Sequence, residues 1–299
     1  MGRSMVRVET VERDLYVILL NALRACFVIK DERVALIECG FPAEYNELVE
    51  GLKMLGLTPS DLDVLALTHI HVDHAGCAGY LTAEHPELEV FVHAAGLAHL
   101  VEPGRLNTSV RKAYGDRFQH VGTLRPVASS PEKHRAVRSG DVIPLGKRRL
   151  EVLETPGHAR HHVVFYDTAR RCGFVGDALG SKYSGLPNFV LAPPPDYDPQ
   201  QSKDSIDRIR DLGLRVLYFT HNGPYYLAEK DDFFDRLKRQ HDEWTRAMVQ
   251  VLVEYPAGEP RVLLDPFLDR LPYLRRHPTQ RFSFGLSVAG MAAHLRRRR

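Results

Sequence analysis

Three histidines and one aspartate fall within six consecutive positions, His69, His71, Asp73 and His74 in THIHVDHAG, directly after the apolar run Val64 to Leu67. No other stretch constrains the fold as much, because polar side chains at this density beside a buried strand are costly unless a ligand compensates them. Imidazole and carboxylate are natural ligands of zinc and similar divalent ions, and a cluster without Cys points to an open site rather than a thiolate cage. Residues i and i+2 of an extended segment point the same way, so His69 and His71 can reach one ion. Asp73 and His74, beyond the turn, can serve a second. Three further positions share this context: His158 follows the predicted strand RRLEVLE in TPGH, Asp177 ends CGFVG as GD, and His221 ends RVLYF in THNG. Four predicted strands thus deliver metal-type residues at their C-terminal ends, where the loops of a sheet domain converge.

The remaining pattern supplies the sheets. LYVILL, ACFVIK and RVALIE read as strands, with Lys30-Asp31-Glu32 as a polar hairpin turn, an antiparallel start. Glu44 to Leu57 is helical in period, Val64 to Leu67 suits a buried strand, AGCAGYLTAEH a helix, and Glu89 to His93 another strand. Residues from Ala94 to Ser139 have too little strand character to join a sheet and read as a surface excursion that can cover the site. Strands resume at RRLEVLE, HVVFYD and CGFVGD, the last two joined through Thr168-Ala169-Arg170-Arg171, and the helix SKDSIDRIRDLG leads into RVLYFTH. From Pro224 the chain reads as helices, with one loop near Pro256 to Pro260. Two β-rich halves with helices, and no short repeat, imply an α+β fold: two sheets face to face with helices outside, a four-layer αββα sandwich. Residues 1–223 are expected to form the catalytic domain and 224–299 a helical extension packed on it. The helical spacing of Phe233, Phe234, Leu237 and Trp244 suits packing onto that domain or onto a second subunit, which leaves room for a homodimer.

Composition narrows the partners. With 44% apolar residues in 299, the chain can bury a sizeable core. Forty basic against 38 acidic residues leave a net charge of +2, no global footprint for nucleic acid or an anionic membrane. Cys26, Cys39, Cys77 and Cys172 form no C-x-x-C pair, so neither a disulfide framework nor a thiolate site is expected and a reducing cytoplasm fits. The start, MGRSMVRVETVERD, has no apolar core of a signal peptide, and charges interrupt every apolar run before membrane-spanning length. Arg296 to Arg299 read as a solvated tail.

In their order, THIHVDHAG, TPGH, GD and THNG resemble the H-x-H-x-D-H…H…D…H pattern of the metallo-β-lactamase superfamily, over roughly Leu15 to His221. The resemblance implies one metal held by His69, His71 and His158, a second held by Asp73, His74 and His221, and Asp177 bridging both. It further implies a dinuclear metal-dependent hydrolase that uses a metal-bridging hydroxide on a small ester-like substrate (ester, thioester or lactone). Asp73 and Asp177 are its expected catalytic carboxylates, Asp73 or a metal-bound water returning the proton to the leaving group. Zinc is the chemical default, with iron or manganese as alternatives. GDALGSKY, LAPPPDYDP and YFTHNGP look most like archaeal and bacterial metallo-hydrolases of uncharacterised substrate, with glyoxalase II-like chemistry the nearest named option. In the antibiotic-degrading enzymes the position of His74 is typically not His.

Glu38, in LIECG, stands at a strand end where the family usually has Asp, whose carboxylate hydrogen-bonds to the metal-bearing loop; the extra methylene changes that geometry. Tyr183, six residues after Asp177, is a candidate hydroxyl donor to a substrate oxygen, against simple ring packing. His161 and His162 open the strand HHVVFYD and are expected to satisfy backbone groups or face water. Cys39 and Cys77 suit core packing, and His85, His134 and His277 the surface. Two other reaction classes compete. Persulfide dioxygenases share much of the motif but use a single iron held by two His and one Asp. Phosphodiesterases and nucleases of the superfamily carry an inserted domain or RNA-binding arm, for which the roughly forty residues between Asp177 and His221 leave little room.

Overall fold

The computed structural model describes residues 6–21, 24–181, 196–229 and 231–297. They form two compact units. The first comprises Met1–Glu154, Val163–Gly176 and Arg215–Tyr226 and contains both sheets. Its first sheet runs in chain order through β1 (Arg7–Glu12), β2 (Leu15–Leu20), β3 (Arg24–Lys30), β4 (Val34–Ile37), β5 (Val64–Ala66), β6 (Glu89–His93) and β7 (His134–Val137). Pairing is antiparallel as far as β4, where short turns connect the strands, and parallel from β4 to β7, where helices cross over. The second sheet runs β8 (Val142–Pro144), β9 (Arg149–Glu154), β10 (Val163–Asp167), β11 (Cys172–Phe174), β12 (Val216–Phe219) and β13 (Gly223–Tyr226), antiparallel except between β11 and β12.

The two faces of the first sheet explain why LYVILL and ACFVIK lack alternation. Leu15, Val17, Phe27, Ile29 and Ile37 point toward the second sheet and pack with Val152, Phe165, Phe174 and Tyr218. Ile18, Leu20, Val28 and Leu36, one step out of phase, pack with Leu48 and Leu52 of α1 (Tyr45–Met54). A strand buried on both faces reads as a continuous apolar run. The remaining helices of this unit are α2 (Val72–Ala75), α3 (Ala78–Glu84), α4 (Ala94–Val101) and α5 (Gly104–Tyr114). Phe27 lies with its centroid 5.3 Å from both Phe174 and Tyr218, an aromatic knot between the sheets. The expected α+β sandwich is therefore present, with helix, sheet and sheet layered within one unit.

Two sequence expectations are corrected. His134–Val137, placed in the surface excursion, joins the first sheet as β7 through Val90↔His134 to His93↔Val137. Pro224 to Tyr226, read as the start of the helices, belongs to β13 and pairs with β12. Both are outer strands, and in HRAV only Val137 is buried, so no apolar alternation marks it. Pro224 is tolerated because an outer strand need not donate from every amide.

The second unit comprises Thr155–His162, Asp177–Leu214 and Leu227–Arg299. Its helices are α6 (Pro199–Asp211), α7 (Phe233–Glu254), α8 (Pro260–Arg270), α9 (Pro272–Arg275) and α10 (Arg281–Arg297). Asp198 caps α6 by accepting from the amides of Gln200 and Gln201. Trp244, expected to face the catalytic domain or a second subunit, instead lies among the helices of its own unit, edge-on to Phe267 and Phe284. Its indole N–H donates to the Tyr273 hydroxyl at 2.9 Å, which satisfies the one polar atom of that ring. Among the described residues no helix is long and apolar enough to cross a membrane.

Candidate metal centre

The first unit gathers five of the seven sequence-predicted ligands. β5 ends at Ala66, and five residues later His71, with extended backbone, opens the short turn of α2. His71 accepts at its carbonyl from the amides of His74 and Ala75, so that single turn presents Asp73 and His74 in succession. The turn is held close to its surroundings at Gly76. A Cβ there would lie 2.3 Å from Pro42 Cδ and 2.4 Å from the Val72 carbonyl oxygen, so no larger residue fits. His221 follows β12, where it forms an isolated antiparallel bridge with Arg24, and the Ala25 amide donates to the Thr220 carbonyl at 2.6 Å.

The rings converge. His69 Nε2 and His71 Nδ1 are 2.9 Å apart. The ring centroids of His69 and His74 are 4.0 Å apart and those of His74 and His221 5.6 Å apart. Asp73 Oδ2 lies 3.5 Å from His221 Nε2 and 3.9 Å from His74 Nε2. The potential ligand atoms of Asp73, His74 and His221 all fall within 4.8 Å of one another, as do those of Glu38, His69 and His74.

Glu38 organises this cluster. Its carboxylate is 1% exposed, and Oε1 accepts from the Thr68 hydroxyl, from Thr220 Oγ1 at 3.2 Å and from His74 Nδ1 at 3.0 Å. A hydroxyl has one proton to give. Since Thr68 gives its own to Glu38, the 3.0 Å contact between Thr68 Oγ1 and His69 Nδ1 is donated by the ring. Glu38 thereby sets the tautomer of His74 directly and of His69 through Thr68, leaving the Nε2 atoms of both rings as lone-pair donors. The residue adopts a left-handed φ of +63°, rare for a side chain this large. The Glu38 amide donates to the Ala66 carbonyl at 3.1 Å and the Cys39 amide to the His74 carbonyl at 2.8 Å, which holds that conformation. The family's shorter Asp is thus replaced by a carboxylate that reaches three donors.

Cys39 and Cys77 are wholly buried, as expected, and burial pushes both thiols well above their ordinary range. Each sulfur hydrogen-bonds a carbonyl, Cys39 that of His74 at 3.2 Å and Cys77 that of Phe41 at 3.0 Å. Neither is a thiolate ligand.

The other two sequence-predicted ligands lie in the second unit. His158 Nε2 is 3.5 Å from Asp177 Oδ2, and both side chains are nearly buried. Gly157, with φ +133°, presses on α6 so closely that a Cβ would sit 2.3 Å from the Ser202 amide nitrogen. Tyr183 lies outside the described residues. Sequence reasoning passed over Thr68, Thr155 and Thr220, although a threonine opens three of the four motifs, THIH, TPGH and THNG.

The donor set fits a divalent metal: imidazoles, two of them (His69 and His74) with tautomers fixed by Glu38 and Thr68, together with carboxylates, and no thiolate among the described residues. A family model described as the Metallo-beta-lactamase superfamily matches residues 23–221. A metallo-beta-lactamase fold-containing protein of Sulfurisphaera tokodaii is 32% identical over 166 residues, 54% of this chain and 61% of that protein. A hydroxyacylglutathione hydrolase of Chelativorans is 26% identical over 179 residues, 60% of this chain and 54% of that enzyme. An acyl-coenzyme A thioesterase of Gallus gallus is 33% identical over 150 residues, 44% and 47% of the two chains. The chain thus spans about half to three fifths of the length of these relatives. The crystal structure of a metallo-beta-lactamase family protein from Thermus thermophilus shares the fold, with a TM-score of 0.70 at 24% identity over 97% of this chain and 95% of that one.

Proposed function

We propose that this chain, which belongs to the metallo-beta-lactamase superfamily, is a dinuclear metal-dependent hydrolase of a small ester-like substrate. His69, His71 and His158 would hold one ion and Asp73, His74 and His221 a second, with Asp177 shared between them. The observation that carries this reading is Glu38, whose buried carboxylate accepts hydrogen bonds from His74 Nδ1 and from the Thr68 hydroxyl and so fixes the tautomers of two imidazoles, leaving their Nε2 lone pairs for a metal. Nothing in a folding role alone calls for two histidines held in one tautomer beside a buried carboxylate. Two divalent ions, when bound, lower the pKa of a water toward about 7 and offset charge that builds on a carbonyl oxygen. No Ser or Cys nucleophile is needed.

The chain's own groups then have separate tasks. The imidazoles and Asp177 would hold the ions, and Asp73, 18% exposed, is the carboxylate able to pass a proton to the leaving group. A thioester is favoured among the ester-like options by the acyl-coenzyme A thioesterase relative. Zinc is the expected metal for this nitrogen-rich set. All seven ligands precede residue 224, which supports assigning the chemistry to residues 1–223, while β13 carries the sheet on to Tyr226 so that the helical extension begins after it. Four free, buried cysteines support a reducing cytoplasm as its compartment.

Metal analysis of the purified protein, followed by an assay of esters, thioesters, lactones and phosphodiesters on the metal-replete form, tests the proposal. Two zinc ions per chain and turnover of an ester-like substrate are expected. One iron per chain, with oxygen consumed in the presence of a persulfide and no hydrolysis, would overturn it.

A further inference from the structure

We propose that His162 is a positioning residue that holds Asp177 and the loop bearing His158 in one register; the inference rests on the metal-centre reading above. The His162 ring is wholly buried. Its Nδ1 lies 2.8 Å from Thr155 Oγ1, and its Nε2 accepts from the backbone amide of Asp177 at 3.1 Å. An amide nitrogen can only donate, so Nε2 carries no proton. A protonated ring would turn a donor against that amide, so the imidazole is neutral, with its proton on Nδ1 and directed at the threonine hydroxyl.

This one tautomer joins two segments of the second unit. The Thr155 amide donates to the His162 carbonyl at 2.9 Å and the His162 amide to the Ala159 carbonyl at 3.2 Å, so the loop closes on itself around His158. From α6, Ser205 Oγ donates to the Pro156 carbonyl at 2.7 Å, and just before that helix the Asp198 amide donates to the Gly157 carbonyl at 2.8 Å. The loop is therefore fixed on its α6 side. His162 extends that fixation to Asp177, whose carboxylate lies 3.5 Å from His158 Nε2. A histidine that only filled space would need neither nitrogen, and a phenyl ring of similar shape would replace it without effect on metal capture.

The test compares His162→Phe, which keeps the ring and removes both nitrogens, with His162→Gln, whose side-chain carbonyl can accept from the Asp177 amide. Zinc affinity is measured by competition with a chromophoric chelator on the full chain, and circular dichroism of the metal-free protein checks the fold. The Phe variant should bind zinc about 10- to 100-fold more weakly while its metal-free form stays folded, and the Gln variant should recover most of the loss. Zinc affinity of His162→Phe within about twofold of the parent overturns the proposal. Should the Phe variant not fold, Thr155→Val decides, because it leaves the ring in place and removes the acceptor of the Nδ1 proton. Weaker zinc binding supports the role, and parental affinity overturns it. Nitrogen-15 shifts of the metal-free protein give a second readout: protonated Nδ1 with bare Nε2 at His162 is required, and the opposite tautomer contradicts it. Asp177→Ala separates the two levels of inference. Parental zinc affinity in that variant would sink the metal centre itself, whatever His162 does.

Discussion

The two units support their metal-type side chains by opposite electrostatic means. In the first, a buried carboxylate, Glu38, accepts hydrogen bonds from the His74 ring and from the hydroxyls of Thr68 and Thr220, and reaches His69 through Thr68. In the second, His158 and Asp177 are accompanied by a neutral imidazole, His162, that accepts from a main-chain amide. A buried anion makes neighbouring imidazoles more basic and keeps them in one tautomer, which suits donors that must compete for a cation. A neutral acceptor fixes where the backbone of a carboxylate lies without adding charge. The contrast teaches that donor strength and donor placement are supplied separately in this protein.

The largest effect that would test this contrast comes from the donors. Asp177→Ala and His71→Ala should each reduce turnover by about 10³-fold or more and lower the zinc content, while far-ultraviolet dichroism stays that of the parent. Normal turnover in Asp177→Ala would remove that residue from its shared position. Chelation comes next. Stripping metal from protein kept with free metal at about 100 times the dissociation constant should cost about 2.7 kcal/mol of stability per site, read as a lower midpoint in scanning calorimetry. An unchanged midpoint would mean that no ion is bound under those conditions.

Glu38→Gln should then weaken zinc binding by about 10- to 100-fold, since an amide brings its own donors into a cluster built to donate. Equal affinity in this variant would erase the distinction between the two units. The smallest expected effect belongs to the second unit alone. Burial, assisted by Lys203, lowers His241 from 6.5 to about 3, and its Nδ1 lies 3.0 Å from the Tyr197 hydroxyl. The folded ring stays neutral while the unfolded chain takes a proton below about pH 6.5, so stability falls as pH drops from about 6.5 toward about 3. The slope from this residue is at most about 1.4 kcal/mol per pH unit. His241→Phe should flatten the dependence of the urea midpoint on pH over that window.

What could be read in the sequence follows the same physical logic. Inner strands such as LYVILL and VVFYD are buried along most of their length and announce themselves by apolar residues. The outer strands β1, β7, β8 and β13 do not: RVETVE and HRAV carry charge, and β8 and β13 contain Pro144 and Pro224. Such residues keep an exposed edge from pairing with another chain and at the same time hide it from a reader of hydrophobic pattern. At the site, the seven histidines and aspartates stood out because polar side chains gathered at the ends of buried strands are costly without a ligand. Thr68, Thr155 and Thr220 did not, because a threonine at a strand end is ordinary until its hydroxyl is seen against Glu38 or His162. Glu38 itself was legible as a position, but the reach of its longer side chain to three donors required coordinates.

The bridge between Arg24 and His221 ties β3 to the end of β12, two strands far apart in the chain. During synthesis the segment from His69 to His74 leaves the ribosome long before its last imidazole partner. A divalent ion arriving early would meet an open, partial donor set, and contacts between distant segments are the slow ones to form. The set Asp73, His74 and His221 is therefore complete only after the end of β12 has reached β3.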